Sequence, residues 1–332
     1  MSGPTAIERR PFVGSAVDVS VVGVALDPSP VASASEDATT VAVLRHLRDT
    51  GVTMFDLARA RVPARGIQLL STAFSPRDPS LLILLDPPKD RGRSNDRSSA
   101  HRPSSGAGDP GEEDAPRFEQ LVHAANRVGA AWIDWEPRGE SEGQLLEHSR
   151  HLDRDLDEGS IAGWSLRVRS LDLPPPIAPR IRDRPVSVDF SLLDHRLLGA
   201  LDGEFSGRRG RVVMRNVLAD GRLDGTRIGR SLGARSPGAR PPDLRTLHAE
   251  FDPVLALAPL TAHGRRTLAQ AALQYALYWE WVAAAIVPLP SLERWPELRN
   301  AGERPALTGE ELSRLGLIEG SRGATERRAR PP

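Results

Sequence analysis

Apolar and polar positions along this chain fall into two alternating rhythms. Short, near-continuous apolar runs recur at VSVVGVAL (Val19–Leu26), VTMFDLA, SLLILLDPP, AAWIDWEP, SIAGWSL, RPVSVDFSLL, GRVVMRN and VAAAIVPLP. Runs of this length, many of them rich in β-branched residues, predict strands buried on both faces. Between them lie stretches with helical spacing, among them DATTVAVLRHLRDTG (Asp37–Gly51), ARGIQLLSTAF, RFEQLVHAANRVG, EGQLLEHSRHLDRDLDEG and RRTLAQAALQYALYWE. The first has a capping residue at its start and a glycine at its end, as a helix should. Strand alternating with helix predicts a parallel sheet covered by helices. About eight such units over roughly 250 ordered residues close better as a (β/α)8 barrel than as an open doubly wound sheet.

Two segments break the pattern. Residues 91–116 (RGRSNDRSSAHRPSSGAGDPGEEDAP) have almost nothing to bury and predict a disordered insertion within a domain. The tail at 320–332 (GSRGATERRARPP) predicts a disordered, solvated end. The expected organisation is one barrel over residues 1–319. The Gly-rich stretch Leu218–Leu244 predicts a long loop able to cover a ligand at the barrel mouth.

Charge and cysteine content narrow the chemistry. Lys+Arg and Asp+Glu number 44 each, so no global field recruits nucleic acid or an anionic membrane. The expected partner is a small molecule. No apolar run reaches transmembrane length and no signal-peptide pattern follows Met1, which predicts a cytoplasmic protein. The absence of cysteine removes thiolate nucleophiles and zinc–thiolate sites. Lys89 is the sole lysine, so a lysine-dependent mechanism has one candidate. After Val24 the chain reads ALDPSPVASASED, without the GxGxxG of a Rossmann dinucleotide site. His46, His123, His148 and His151 lie on helices with no carboxylate at ligand spacing, so no metal site is expected. His195 follows a strand and is read as a structural cap, with the mouth within its reach. Trp132, Trp135 and Trp164 belong to adjacent strands; inward-facing ones are core, with Trp135 or Trp164 placed to line a pocket.

Several stretches, collinear over nearly the whole chain, resemble the aldo-keto reductases. ATTVAVLRHLRDTGVTMFDLA is similar to that family's first barrel helix and second strand, GSIAGWSL to a strand ending at a serine, and VVMRNVLADGRLDG to the seventh strand and its loop. TLAQAALQYALYWEWVAAAIVPLPSLERWPELRNAG is similar to the last large helix, eighth strand and cofactor-side helix, and ALTGEELSRL to the C-terminal helix. The resemblance implies NADP at the C-terminal mouth of the barrel and an Asp, Tyr, Lys and His around a substrate carbonyl. In such a set a phenol is made a competent proton donor by the cation and carboxylate behind it, and the histidine stabilises charge developing on the oxygen.

Carried over by position, the Asp falls on Asp56, the Lys on Lys89 and the His on Glu136, a replacement known in steroid-reducing members. The place of the Tyr is taken by Arg59 or Arg61, and the chain's two tyrosines, Tyr275 and Tyr278, fall on a late outer helix. On the cofactor side the resemblance points to Ser165 and Asp189 near the nicotinamide amide and to Arg215 or Asn216 at the stacking position. Ser291, Arg294 and Asn300 fall on the phosphate-side segment, where an arginine suits a 2′-phosphate. Two functions follow as expectations: an NADP-dependent oxidoreductase acting on a carbonyl compound, or a catalytically inactive barrel retained as a ligand-binding or regulatory module. Proton transfer by Asp56, Lys89 and Glu136 in an enzyme of another class is a third.

Overall fold

Eight parallel strands pair edge to edge until the last meets the first, closing a barrel in the order β8-β1-β2-β3-β4-β5-β6-β7. They are β1 (Val22–Ala25), β2 (Met54–Asp56), β3 (Leu82–Leu85), β4 (Ala130–Trp135), β5 (Gly163–Val168), β6 (Val186–Asp189), β7 (Val212–Arg215) and β8 (Val282–Pro288). The computed structural model describes residues 7–74, 77–87, 117–137, 140–171, 184–227 and 244–314, with 179 and 316. Lys89, the predicted insertion at 91–116 and the predicted tail at 320–332 lie outside the described residues.

The helices are α1 (Ala34–Asp49), α2 (Pro63–Ala73), α3 (Phe118–Asn126), α4 (Glu142–Asp157), α5 (Leu198–Phe205), α6 (Leu244–Leu255), α7 (Leu268–Ala276), α8 (Trp295–Arg299) and α9 (Gly309–Arg314). Each of α1, α4 and α7 begins with a reciprocal capping box: Ser33 with Glu36, Ser141 with Gln144, and Thr267 with Gln270. The Ser33 box starts α1 three residues before the Asp37 expected from the pattern. Neither α5 nor α6 was expected. Among the described residues no helix is long and apolar enough to cross a membrane.

The run Val19–Leu26 does not enter the barrel as one strand. Val19–Ser20 pairs antiparallel with Arg9–Arg10, and only Val22–Ala25 joins the cylinder. The cause is local: the Ser20 hydroxyl donates to the Val22 carbonyl at 2.8 Å, and the Ser20 amide donates to Thr53 Oγ1 at 2.8 Å. These bonds compete with a continuous ladder. The segment carrying the ribbon brings Phe12 and Val19 into one buried cluster with Met54, Leu82, Trp132 and Val213. Arg10 fixes it from outside by donating to the carbonyls of Leu277, Trp279 and Val282.

Strand parity sorts the barrel residues, except at the β8 irregularity, where Ala283 and Ala284 both join the inner cluster. Phe55, Ile83, Ile133, Trp135, Trp164, Val188, Met214 and Ala285 share the large core beneath the helices. The alternate set, Met54, Leu82, Leu84, Trp132, Val213 and Ile286, forms the smaller cluster inside the cylinder. A register shift between Val282 and Ala284 realigns β8 with this pattern. The interior is filled closely enough to need glycine: a Cβ on Gly163 would stand 2.2 Å from Trp132 Cζ3, and one on Gly23 2.5 Å from Ile286 Cδ1.

Trp135 and Trp164 therefore face outward, correcting the expectation that one of them lines a pocket. Trp135 stacks on His148 of α4 with ring centroids 4.7 Å apart, and the Trp164 indole donates to Asp153 at 3.1 Å.

Candidate functional site

Following the inward positions toward the C-terminal ends of the strands, the chemistry changes from hydrocarbon to charge. Met54 gives way to Asp56, Trp132 to Asp134 and then Glu136, Gly163 to Ser165 and then Arg167, and Val213 to Arg215. Each step is two residues, one strand repeat. The side chains meet as a continuous lattice. Arg215 binds Asp56 through Nη1, and its Nη2 lies 2.7 Å from Asp134 Oδ2. Arg167 Nη2 reaches the same Asp134 oxygen at 2.6 Å. Arg167 Nη1 lies 3.5 Å from Glu136 Oε2 and 3.9 Å from Asp86 Oδ2. At the rim, exposed Arg169 lies 2.7 Å from Glu136 Oε1.

Serines complete the set. Ser165 Oγ donates to Asp134 at 2.7 Å and accepts from the Trp132 indole at 3.0 Å, tying lattice to hydrocarbon. Ser187 Oγ donates to Asp134 at 2.8 Å and accepts from Arg215 Nε at 3.3 Å. Asp134 is fully buried, and burial alone pushes its pKa up. The Arg215 and Arg167 charges and the two serine hydroxyls more than reverse this, holding the carboxyl far below the usual carboxylate range. Burial likewise disfavours the Arg215 cation, but the charges of Asp134 and Asp56, the bond to Asp56 and the charge of Asp189 raise its pKa above an already high value.

Above the lattice, Arg59 Nη2 lies 2.7 Å from Asp189 Oδ2, with both side chains nearly half exposed. Arg61 instead turns to Asp27 at 3.1 Å.

The structure thus joins two of the residues placed at the catalytic positions through a chain of ion pairs: Asp56 at one end and Glu136 at the other, with Arg215, Asp134 and Arg167 between. Ser165 is buried inside that chain. Asp189 is engaged by Arg59. Asn216 adopts a left-handed backbone (φ 55°), and its Oδ1 accepts from the Asp220 amide at 2.8 Å, organising the turn after β7. Arg294 donates to the Asp224 carbonyl at 2.8 Å and lies 3.3 Å from the Asp224 carboxylate. Ser291 accepts from the Arg294 amide, and Asn300 accepts from Arg299 Nε at 3.0 Å. Tyr275 is buried and stacks on Phe190, its pKa pushed up by burial. His195 stands edge-on to Tyr275. Among the described residues no group of three or more His, Asp or Glu is placed to hold a metal ion.

Sequence reading passed over Asp134, Arg167 and Ser187 as partners of Asp56 and Glu136. A signal was present: in WIDWEP and GWSLRVR, charged residues sit at every second position of strands otherwise apolar, the parity that faces the interior.

No family model and no curated protein matches the sequence. In structure the chain is similar to an aldo-keto reductase from Bacillus halodurans. Its holo form superposes with a TM-score of 0.61 at 16% identity, covering 95% of this chain and 99% of that one. Its apo form gives 0.58 at 15% identity over the same shares. A chain from Pseudomonas aeruginosa described as belonging to the same family gives 0.52 at 14% identity, covering 88% and 94%. The fold is that of the aldo-keto reductases, built as a closed (β/α)8 barrel.

Proposed function

We propose that this chain is an aldo-keto-reductase-like pseudoenzyme, a barrel whose mouth takes a small-molecule ligand without the carbonyl reduction of that family. The observation that carries the reading is the missing phenol: its position falls on Arg59 or Arg61, which pair with Asp189 and Asp27. Reduction of a carbonyl needs a group at the mouth that gives up a proton near neutral pH. Neither arginine replaces the phenol, because a guanidinium does not release its proton, and Asp56, the carboxylate of the set, is held in a buried pair with Arg215. The same holds along the lattice, where Asp134 and Glu136 face Arg167 and Arg215 or Arg169. The phenol of Tyr275 belongs to an outer helix and is driven by burial away from proton donation.

The residues that the resemblance sets against NADP do not fit it as they stand. The hydroxyl of Ser165 is used by Trp132 and Asp134, the Asp189 carboxylate is paired with Arg59, and Arg294 is engaged by Asp224.

A second reading, an NADP-dependent oxidoreductase, draws support from the likeness to the holo form of a reductase and from Lys89 at the end of the third strand run. Full-length protein mixed with NADPH and a panel of aldehydes and ketones separates the two. The expected result is no carbonyl-dependent loss of NADPH absorbance above buffer. Turnover that disappears in Lys89→Ala or Glu136→Gln establishes the second reading and removes the first.

A further inference from the structure

β2 and β6 stand four places apart in a ring of eight, and so face each other across the barrel. Arg59 lies three residues beyond the end of β2, and Asp189 ends β6. Their 2.7 Å ion pair therefore spans the opening from side to side. Two other exposed pairs near the ends of the barrel, among the described residues, do not. Arg61–Asp27 joins the loops after neighbouring strands β2 and β1, and Arg209–Glu280 joins the segments before β7 and β8. Beneath the spanning pair lies the lattice, whose Asp134 and Arg215 side chains are at most 3% exposed. The charge of Asp189 is felt by Arg215, which places the pair within electrostatic reach of that floor.

We propose that Arg59–Asp189 is a strap across the barrel mouth, and that its opening controls access to the floor formed by Asp56, Arg215 and Asp134. Its exposure suits the role. A half-exposed pair in water is worth little and is screened by salt, so it breaks readily, whereas the buried pairs below hold. One of the two arginines, Arg59 and Arg61, that the resemblance sets at the phenol's position thus closes the site. The inference rests on the reading of the mouth as a ligand site for its purpose, but not for its geometry.

The chain has no cysteine, so one introduced thiol is an unambiguous reporter. Ser187 lies two residues before Asp189 on the same face of β6 and is fully buried. Full-length Ser187→Cys is labelled with dithiodipyridine, a neutral reagent, while thermal melting tracks the fold of each variant. Ser165→Cys on β5 serves as the reporter if Ser187→Cys does not fold. Adding Arg59→Ala is expected to raise the labelling rate about threefold or more, within the range an exposed ion pair supports. Salt near 1 M, where the Debye length is about 3 Å, is expected to raise the rate with Arg59 present but not in Arg59→Ala. The reversed pair Arg59→Asp with Asp189→Arg is expected to restore slow labelling. Rates indifferent to the charge at position 59, or rates that merely follow melting temperature, overturn the strap. Labelling uses no ligand, so carbonyl reduction in the previous experiment would sink the pseudoenzyme reading and leave this result standing.

Discussion

At one end of the cylinder Met54, Trp132 and Val213 meet Phe12 and Val19; two residues further along the same strands the inward positions are Asp56, Asp134 and Arg215. Both layers are buried, yet different physics holds them. The lower layer gains from removing hydrocarbon from water, roughly 1.5–3 kcal/mol for each large side chain, and tolerates no added volume. The upper layer has paid a desolvation cost for every charge, recovered only while each partner is present. The lower layer is therefore sensitive to shape and indifferent to pH, whereas the upper one responds to protonation and to the loss of any partner.

The comparison breaks most sharply at Arg215. Arg215→Met leaves Asp56 buried without its cation and Asp134 with one guanidinium where it had two, and is expected to cost about 3–5 kcal/mol in denaturant unfolding. A loss below about 1 kcal/mol would mean that the lattice is hydrated and not a buried network.

Acid tests the same layer. The Asp134 carboxyl ionises far below its ordinary range in the folded protein and near pH 3.9 in the unfolded chain. Its contribution is complete above the unfolded value and is lost as pH falls toward the folded one, because the unfolded chain takes up a proton that the folded chain refuses. Melting temperature should fall as the pH drops below about 4, and Asp134→Asn should flatten that slope. An unchanged slope would separate Asp134 from the acid response.

In the lower layer, Gly163→Ala drives a methyl into Trp132 and should cost about 1–3 kcal/mol, equally at pH 4 and pH 7. A pH-dependent cost would show that the layers are coupled through the Trp132–Ser165 bond. The smallest effect belongs to the rim: Arg59→Ala should change stability by less than about 1 kcal/mol, because both partners are nearly half exposed. Equilibrium unfolding resolves a larger loss and would recast the strap as a structural element.

Local patterning carried much of this architecture. Each of the eight apolar runs contributes a strand, most of them shortened at their ends and the fifth shifted to Gly163–Val168, because a run buried on both faces needs no distant partner to declare itself. MFDLA placed Asp56 at the end of its strand, where the structure has it. Less was legible where local bonds override the pattern. Ser20 splits the first run, and α6 lies directly after a segment whose glycines and prolines read as loop.

The order of the elements, the closed barrel and the interior parity of the charged residues were thus written in the sequence, since burial and a period of two act over a few residues. Which carboxylate meets which guanidinium was not. Asp56 and Arg215 stand 159 residues apart, and whether they touch depends on how strands from distant parts of the chain are registered around the ring. Closure of the barrel made that choice, turning a row of candidate acids into a chain of ion pairs in which, of the buried polar atoms described, only Arg167 Nη1 lacks a hydrogen bond.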